Sequence, residues 1–304
     1  MILLYHNVFP DVEYQKRTKS RIAISRSAFE RQVLWIKKHF RIVTLDEYVQ
    51  HLDKGGKTPR NLISITFDDG IRSTFENVHS FLSKYKIPST MFVTTYHLDS
   101  GNLLYFTYFY TLCYESEYPS INVDDRVYPL SKMSERITAC FKLSTAARNC
   151  GDPIKFAQEL QQHYPVQKVN SFLYEGMTSY QVKQAAQAGF MEIGAHTVHH
   201  PYLSQLEYPD QLIEISRGKE TLETICGKPI SFFAFPSGDY NKASLNIMEA
   251  VKFKAACAVI PKGLGGQAAF ELERIGIYSP SILKLQLKIV LYHLKLRKLG
   301  FRFG

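Results

Sequence analysis

No stretch of this 304-residue chain approaches the roughly 18 to 20 uninterrupted apolar residues that a membrane-spanning helix needs. A basic leader segment is also missing, because Met1 runs straight into the short apolar run Ile2–Tyr5. As it stands, the chain therefore reads as neither membrane-spanning nor exported. The cysteines, Cys113, Cys140, Cys150, Cys226 and Cys257, are few, odd in number and without a CxxC pair. They point to neither a disulfide framework nor a zinc knuckle, and fit a reducing, cytoplasmic setting. Internal repeats and low-complexity tracts are absent.

Acidic residues are missing from one place in particular. Ser281 to Gly304 carries Lys284, Lys288, Lys295, Arg297, Lys298 and Arg302 with no Asp or Glu. This tail supplies most of the net charge of +9, so the body is nearly balanced and the charge is a weak argument for nucleic acid. Lys284, Lys288, Lys295, Lys298 and Arg302 fall close to one stripe at about 100° per residue. A basic amphipathic helix is predicted over 281–304, either closing the body or lying on an anionic membrane surface at its inner face.

What is present is ample core material, 45% hydrophobic against 21% charged residues. Short apolar runs alternate with helical patterns, the signature of a largely parallel sheet wrapped by helices. Strands are predicted at Ile2–Val8, Leu62–Phe67, Thr90–Thr94, Met191–Ala195, Ser231–Phe235, Ala255–Ile260 and Leu272–Tyr278. Helices are predicted at 71–85, 178–188, 208–225 and 241–252, and another to about His39, opened by a Ser27 and Glu30 capping box. Lys54–Pro59 and Gly263–Gly266 read as loops. The length suits one domain over 1–304. From about Leu98 to Gly176 the β/α rhythm breaks, and this stretch reads as a largely helical insertion. Its aromatic cluster (Tyr105, Phe106, Tyr108, Phe109, Tyr110, Tyr114) reads as the insertion's own core, outside the site.

Two groups of residues carry chemistry. Ile65-Thr-Phe-Asp-Asp-Gly70 places adjacent carboxylates, Asp68 and Asp69, at a strand's carboxyl end, where α/β barrels build their sites. The two acids repel unless one binds a metal ion and frees the other to act as a base. Alone, the same letters make an ordinary turn. They are joined, however, by Gly194-Ala-His-Thr-Val-His-His-Pro201, which follows another strand and offers His196, His199 and His200. Two imidazoles and one carboxylate form a set that leaves positions open, as catalytic zinc requires.

These residues resemble the polysaccharide deacetylases of carbohydrate esterase family 4, the NodB homology domain. Thr66-Phe-Asp-Asp-Gly70 is similar to its first motif, His196-Thr-Val-His-His200-Pro to its second and Phe235-Pro-Ser-Gly-Asp-Tyr-Asn241 to its third, with Leu272-Glu-Arg-Ile275 a looser match. The resemblance implies a distorted (β/α)7 barrel. It implies that Asp68 is the general base, that Asp69, His196 and His200 hold one divalent ion, and that His199 is a spacer. Zinc is the first expectation for that ion, with cobalt, nickel or iron on the same ligands.

Two departures matter. The family often has an Arg just ahead of the third-motif proline, where this chain has Ala234, so Arg274 becomes the candidate for orienting the base. The family's C-terminal histidine motif is also missing, since His293 lies in the basic tail. Leu4-Tyr-His-Asn7 instead resembles the permuted branch that acts on exopolysaccharides, making His6 the expected general acid. The expected reaction is hydrolysis of an N-acetyl group on a hexosamine-containing glycan or lipid-linked sugar, giving acetate and a free amine. Backbone groups of the Pro236-Ser237-Gly238 turn are expected at the oxyanion. An O-acetyl esterase on the same scaffold and an inactive carbohydrate-binding relative are the alternatives.

Overall fold

The computed structural model describes residues 1–16, 22–55, 59–166 and 173–294. Seven parallel strands form the centre: β1 (Ile2–Tyr5), β2 (Leu62–Phe67), β3 (Ser89–Val93), β4 (Met191–Ala195), β5 (Phe232–Ala234), β6 (Ala255–Ala258) and β7 (Leu272–Gly276). Each pairs with its successor in the chain, and β1 pairs with both β7 and β2, so the sheet closes on itself. The two-residue strand Arg41–Ile42 adds to the start of β2. This is the (β/α)7 barrel that the motifs implied.

Alternation along the strands makes the two faces. Ile2, Leu62, Phe92, Phe232, Ala234, Ala255, Cys257 and Leu272 fill the interior. Leu3, Tyr5, Ile63, Ile65, Phe67, Met91, Val93, Phe233 and Ile275 pack outward under the helices. Those helices are α1 (Arg26–His39) and α2 (Leu45–Gly55) before β2 and α3 (Arg72–Tyr85) before β3. After β3 come α4 (Tyr105–Tyr110), α5 (Met133–Asn149) and α6 (Pro153–His163), then α7 (Ser179–Gln187) leading into β4. The set is completed by α8 (Tyr208–Cys226), α9 (Lys242–Ala250) and, after β7, α10 (Ile282–His293). Leu45, Tyr48 and Val49 of α2 join the interior cluster and plug the end at which the strands begin. The opposite end is left for the site.

Three expectations need correction. The run Ile2–Val8 is not one strand: it breaks at His6, and Asn7–Phe9 leaves the barrel to pair in parallel with Ala23–Ser25. Hydrogen bonds pull it aside, since Val8 N–H donates to Thr74 Oγ1 (3.1 Å) and Asn77 Nδ2 donates to the Val8 carbonyl (3.2 Å) on α3. The cap of α1 is Ser25, whose Oγ accepts from Ala28 N–H, whereas Ser27 donates to Asp11 and Glu30 pairs with Arg26. The insertion is largely helical, as expected. It has a hairpin, Ser120–Val123 against Arg126–Pro129, and its own core around Tyr108, Phe109, Leu112 and Leu143. Lys288, expected on the basic stripe, turns inward and donates to the Gly276 carbonyl (2.8 Å).

Lys295, Arg297, Lys298 and Arg302 of the predicted tail helix lie outside the described residues, as do residues 56–58 of the first predicted loop. Among the described residues no helix is long and apolar enough to cross a membrane, and all five cysteines are free.

Candidate active site

The carboxyl ends of the strands bring the singled-out residues together. His6 follows β1 directly, Asp68 and Asp69 follow β2, and His196 and His200 follow β4. Arg274 lies inside β7, in register with Ile2 of β1, and its side chain reaches Asp68 and Thr66 across the barrel interior.

Two tight loops aim the ligands, and both contain non-glycine residues with left-handed backbone: Asp69 (φ 73°), Thr197 (φ 65°) and His200 (φ 62°). Such conformations persist only where the surroundings enforce them. For the first loop, His97 Nε2 donates to the Asp69 carbonyl (2.8 Å) and Met177 N–H donates to the Gly70 carbonyl (2.9 Å). Arg72 ties the same segment through an ion pair with buried Glu175 (3.1 Å). Gly176 lies against His97, where a Cβ would come within 2.5 Å of the His97 carbonyl oxygen. For the second loop, Thr197 Oγ1 accepts from His200 N–H (3.0 Å). Glu214 on α8 accepts from Val198 N–H (3.1 Å), His199 N–H (2.9 Å) and His199 Nδ1 (2.6 Å). One turn further along α8, Gly218 lets the helix approach, since a Cβ there would come within 2.9 Å of the Thr197 backbone. His199 is thus more than a spacer, because it ties the loop to α8.

Asp69, His196 and His200 form a buried group able to hold a metal ion, each offering an atom within 4.8 Å of the others. Asp69 Oδ1 lies 3.5 Å from His196 Nε2 and 3.5 Å from His200 Nε2. Ligands about 2.1 Å from a tetrahedral zinc ion stand about 3.4 Å apart, so the spacing fits. Donor chemistry fits as well. His196 Nδ1 lies 2.7 Å from the Ala234 carbonyl, which only accepts, so Nδ1 carries the proton and Nε2 presents its lone pair. Both His196 Nε2 and Asp69 Oδ1 are buried without a hydrogen-bond partner, a costly arrangement unless another group satisfies them. Burial first, then the charge of His196, pushes His200 down to about 3, so its imidazole is neutral and ligand-ready at pH 7.

Asp68 is held differently. Arg274 Nη1 and Nη2 donate to its two oxygens at 2.6 and 2.7 Å, and the guanidinium lies over the Phe92 ring at 5.3 Å. Burial raises the Asp68 carboxyl, but the Arg274 charge, His196 and the Arg274 hydrogen bond together outweigh it, leaving the group below the ordinary range and ionised. Its Oδ2 stands 4.0 Å from His196 Nε2. Arg274, the candidate where the third motif lacks its arginine, is the residue that holds Asp68.

His6 is half-buried, with Nδ1 shut off from solvent and unpartnered, and its ring lies 5.6 Å from that of Tyr278. Burial lowers its pKa against the opposing pull of Asp69 and Asp68. The turn after β5 is less open than expected. Gly238 N–H donates to the Phe235 carbonyl (2.9 Å) and is committed, leaving Ser237, exposed and at φ 54°, beside buried Pro236.

The insertion also borders the site, contrary to the reading of its aromatics as internal core alone. Phe106 packs 4.6 Å from the His200 ring, and Tyr105 lies 6.2 Å away. His97, Glu214, Phe106 and Tyr278 carried no motif signal, since each acts through a partner distant in sequence.

A family model for polysaccharide deacetylases matches residues 55–256. Two curated relatives are the poly-β-1,6-N-acetyl-D-glucosamine N-deacetylases of Staphylococcus aureus (strain MSSA476), 40% identical, and of Staphylococcus epidermidis (strain ATCC 35984), 35% identical, each over 81 residues. The matched stretch spans 26% of this chain and 28% of each relative. Among solved structures, IcaB from Ammonifex degensii superposes with a TM-score of 0.61 at 19% identity over 95% of this chain and 96% of that one. The Streptococcus pyogenes deacetylase PplD, in complex with acetate, gives 0.60 at 17% over the same shares. Those two likenesses concern the fold. The family match covers both loops that carry the buried Asp-His-His group, and the chain belongs to the polysaccharide deacetylase family.

Proposed function

We propose that this protein is a metal-dependent N-deacetylase acting on a polymer of N-acetylhexosamine, with β-1,6-linked N-acetylglucosamine the first substrate to test. The substrate class is taken from what the staphylococcal relatives are named for. The observation that carries the reading is the division of labour between adjacent carboxylates, Asp69 facing two neutral-capable imidazoles and Asp68 clamped by Arg274 within 4.0 Å of His196 Nε2.

Asp69, His196 and His200 would hold a divalent ion, which would supply Lewis acidity toward the acetyl carbonyl and the attacking water; zinc would suit the ligands, as would cobalt, nickel and iron. Asp68, kept ionised by Arg274, takes the water's proton as the new C–O bond forms. Arg274 prevents the carboxylate from rotating away. His6, at the end of β1 next to the β2 end that carries Asp68, gives a proton to the sugar nitrogen as the C–N bond breaks, so that acetate and a free amine leave. The Ser237 N–H, set by Pro236, is the backbone donor assigned to the oxyanion. Phe106 and Tyr105 wall the pocket and limit water there.

The test is acetate release by metal-loaded protein from β-1,6-linked N-acetylglucosamine oligomers, beside β-1,4-linked oligomers and O-acetylated sugars. Turnover of the β-1,6 amide is expected. Release from esters alone would make the protein an O-acetyl esterase, and binding without release an inactive relative.

A further inference from the structure

The inner and outer sides of α10 are both apolar, and only the inner side is covered. Leu285 and Ile289 are buried and Tyr292 packs on the same core. Leu283, Leu287, Val290 and Leu294, by contrast, are 76%, 42%, 51% and 59% exposed. At about 100° per residue these four side chains fall within about 60° of one another, opposite the buried set. Single exposed leucines are ordinary, but an aligned row of four at the edge of a domain marks a contact surface.

The chemistry beside the row narrows the partner. Lys284 is exposed on its flank, and the sequence continues with Lys295, Arg297, Lys298 and Arg302, with no acid anywhere from Ser281 to Gly304. A second copy docking through the same face would set these bases against their equals. We propose that α10 is an interfacial helix that seats the protein on an anionic lipid surface, with Leu283, Leu287, Val290 and Leu294 entering the headgroup boundary and the bases meeting phosphate headgroups. This revises the stripe expected from the sequence: the leucine row makes the apolar contact, and Lys288 belongs to the inner side.

The placement of α10 couples this surface to the candidate site without sharing residues with it. Lys288 Nζ sits 5.6 Å above the Tyr278 ring, and Tyr278 in turn lies 5.6 Å from His6. Through Lys288 and Tyr278 the helix is linked to the His6 edge of the cleft, while its far end, at His293, lies near the Met1 amino group at the start of β1.

The test is cosedimentation of the full chain with vesicles of phosphatidylcholine alone or with added phosphatidylglycerol, at low and high salt. Selective binding to the anionic vesicles, weakened by salt, is expected. The triple variant Leu283→Gln, Leu287→Gln, Val290→Gln should bind at least about tenfold more weakly. Its thermal midpoint should be unchanged, because all three side chains are exposed. Acetate release from soluble oligomers without vesicles should also be unchanged, which separates this proposal from the assignment of the reaction. Absence of anionic-selective binding by the intact chain, or equal binding by the triple variant, would overturn the proposal. So would a concentration-dependent dimer in solution that the three substitutions abolish, since the face would then belong to a second copy.

Discussion

Arg274 grips both oxygens of Asp68, Nη1 to Oδ1 at 2.6 Å and Nη2 to Oδ2 at 2.7 Å, with the two side chains 0% and 5% exposed. The pair spans β7 and β2, the two neighbours of β1, and so fixes the proposed base at the centre of the barrel mouth. Its consequences can be measured.

Arg274→Met leaves a buried carboxylate without its partner, which typically costs about 3–5 kcal/mol of stability, readable by denaturant unfolding. With the Arg274 charge and hydrogen bonds gone, burial is opposed only by His196 and His6, and the Asp68 pKa rises. The acid limb of the kcat/KM profile should therefore move to higher pH. Arg274→Lys keeps the charge without the two-pronged geometry and should fall between. Asp68→Asn, in contrast, should keep metal and lose about 10²- to 10⁴-fold in turnover. An unmoved acid limb in Arg274→Met would show that Arg274 does not tune the base.

Much of this arrangement was legible in the sequence because barrel strands announce themselves. Leu62–Phe67 and Met191–Ala195 are apolar runs ended by Asp-Asp-Gly and His-Thr-Val-His-His, and both lie where the patterns put them. Arg274 was legible only as a candidate, since a buried arginine and a surface one read alike until the strand register is known. His97, Glu214 and Phe106 were not legible. Glu214 sits among the ordinary charges of α8, and its three bonds to the second loop depend on how α8 packs, with Gly218 allowing the approach. The break at His6 was hidden because Asn7, Val8 and Phe9 continue a strand-like pattern while bonding to a different partner.

The ligand assignment predicts that the protein binds about one divalent ion and that His196→Ala abolishes stoichiometric binding. The lost ring removes both the lone pair on Nε2 and the hydrogen bond to Ala234 that fixes it. Metal analysis after dialysis, with calorimetric titration, checks this. In the wild type, an ion at 100 times its Kd should add about 2.7 kcal/mol to unfolding stability, and chelation should remove it. Full metal content in His196→Ala would overturn the assignment.

His97 gives a prediction in pH. It is fully buried, and burial pushes it down to about 4, while His200 is pushed down to about 3. Unfolded histidines titrate near 6.5. Between those values the unfolded chain binds more protons than the folded one, so metal-free stability is fully present above about 6.5 and is lost as pH falls through the window toward 4. Each histidine contributes up to about 1.4 kcal/mol per pH unit. His97→Phe keeps a ring against Gly176 and removes one share of that slope. It also removes the donor to the Asp69 carbonyl, so metal affinity should fall about 10- to 100-fold. Unaltered affinity and slope would reduce His97 to packing.

The last prediction separates the two proton-transfer groups. If His6 donates to the leaving nitrogen, its protonated form is the active one, and kcat/KM falls as pH rises through its pKa. Burial places that pKa below the ordinary histidine value, so the falling limb belongs on the acid side of it. Asp68 sets the opposite limb, rising as its carboxyl ionises, and Arg274 holds that limb low. The profile should therefore be a bell, with His6→Ala flattening only the basic side. The defect should also depend on the leaving group, because an amine must be protonated to depart whereas an activated phenolate need not. His6→Ala should lose about 10²-fold or more on the N-acetyl amide and much less on an activated acetate ester. Equal losses on both substrates would mean that His6 positions the substrate or the β1 terminus, and the proton would have to come from another group at the mouth.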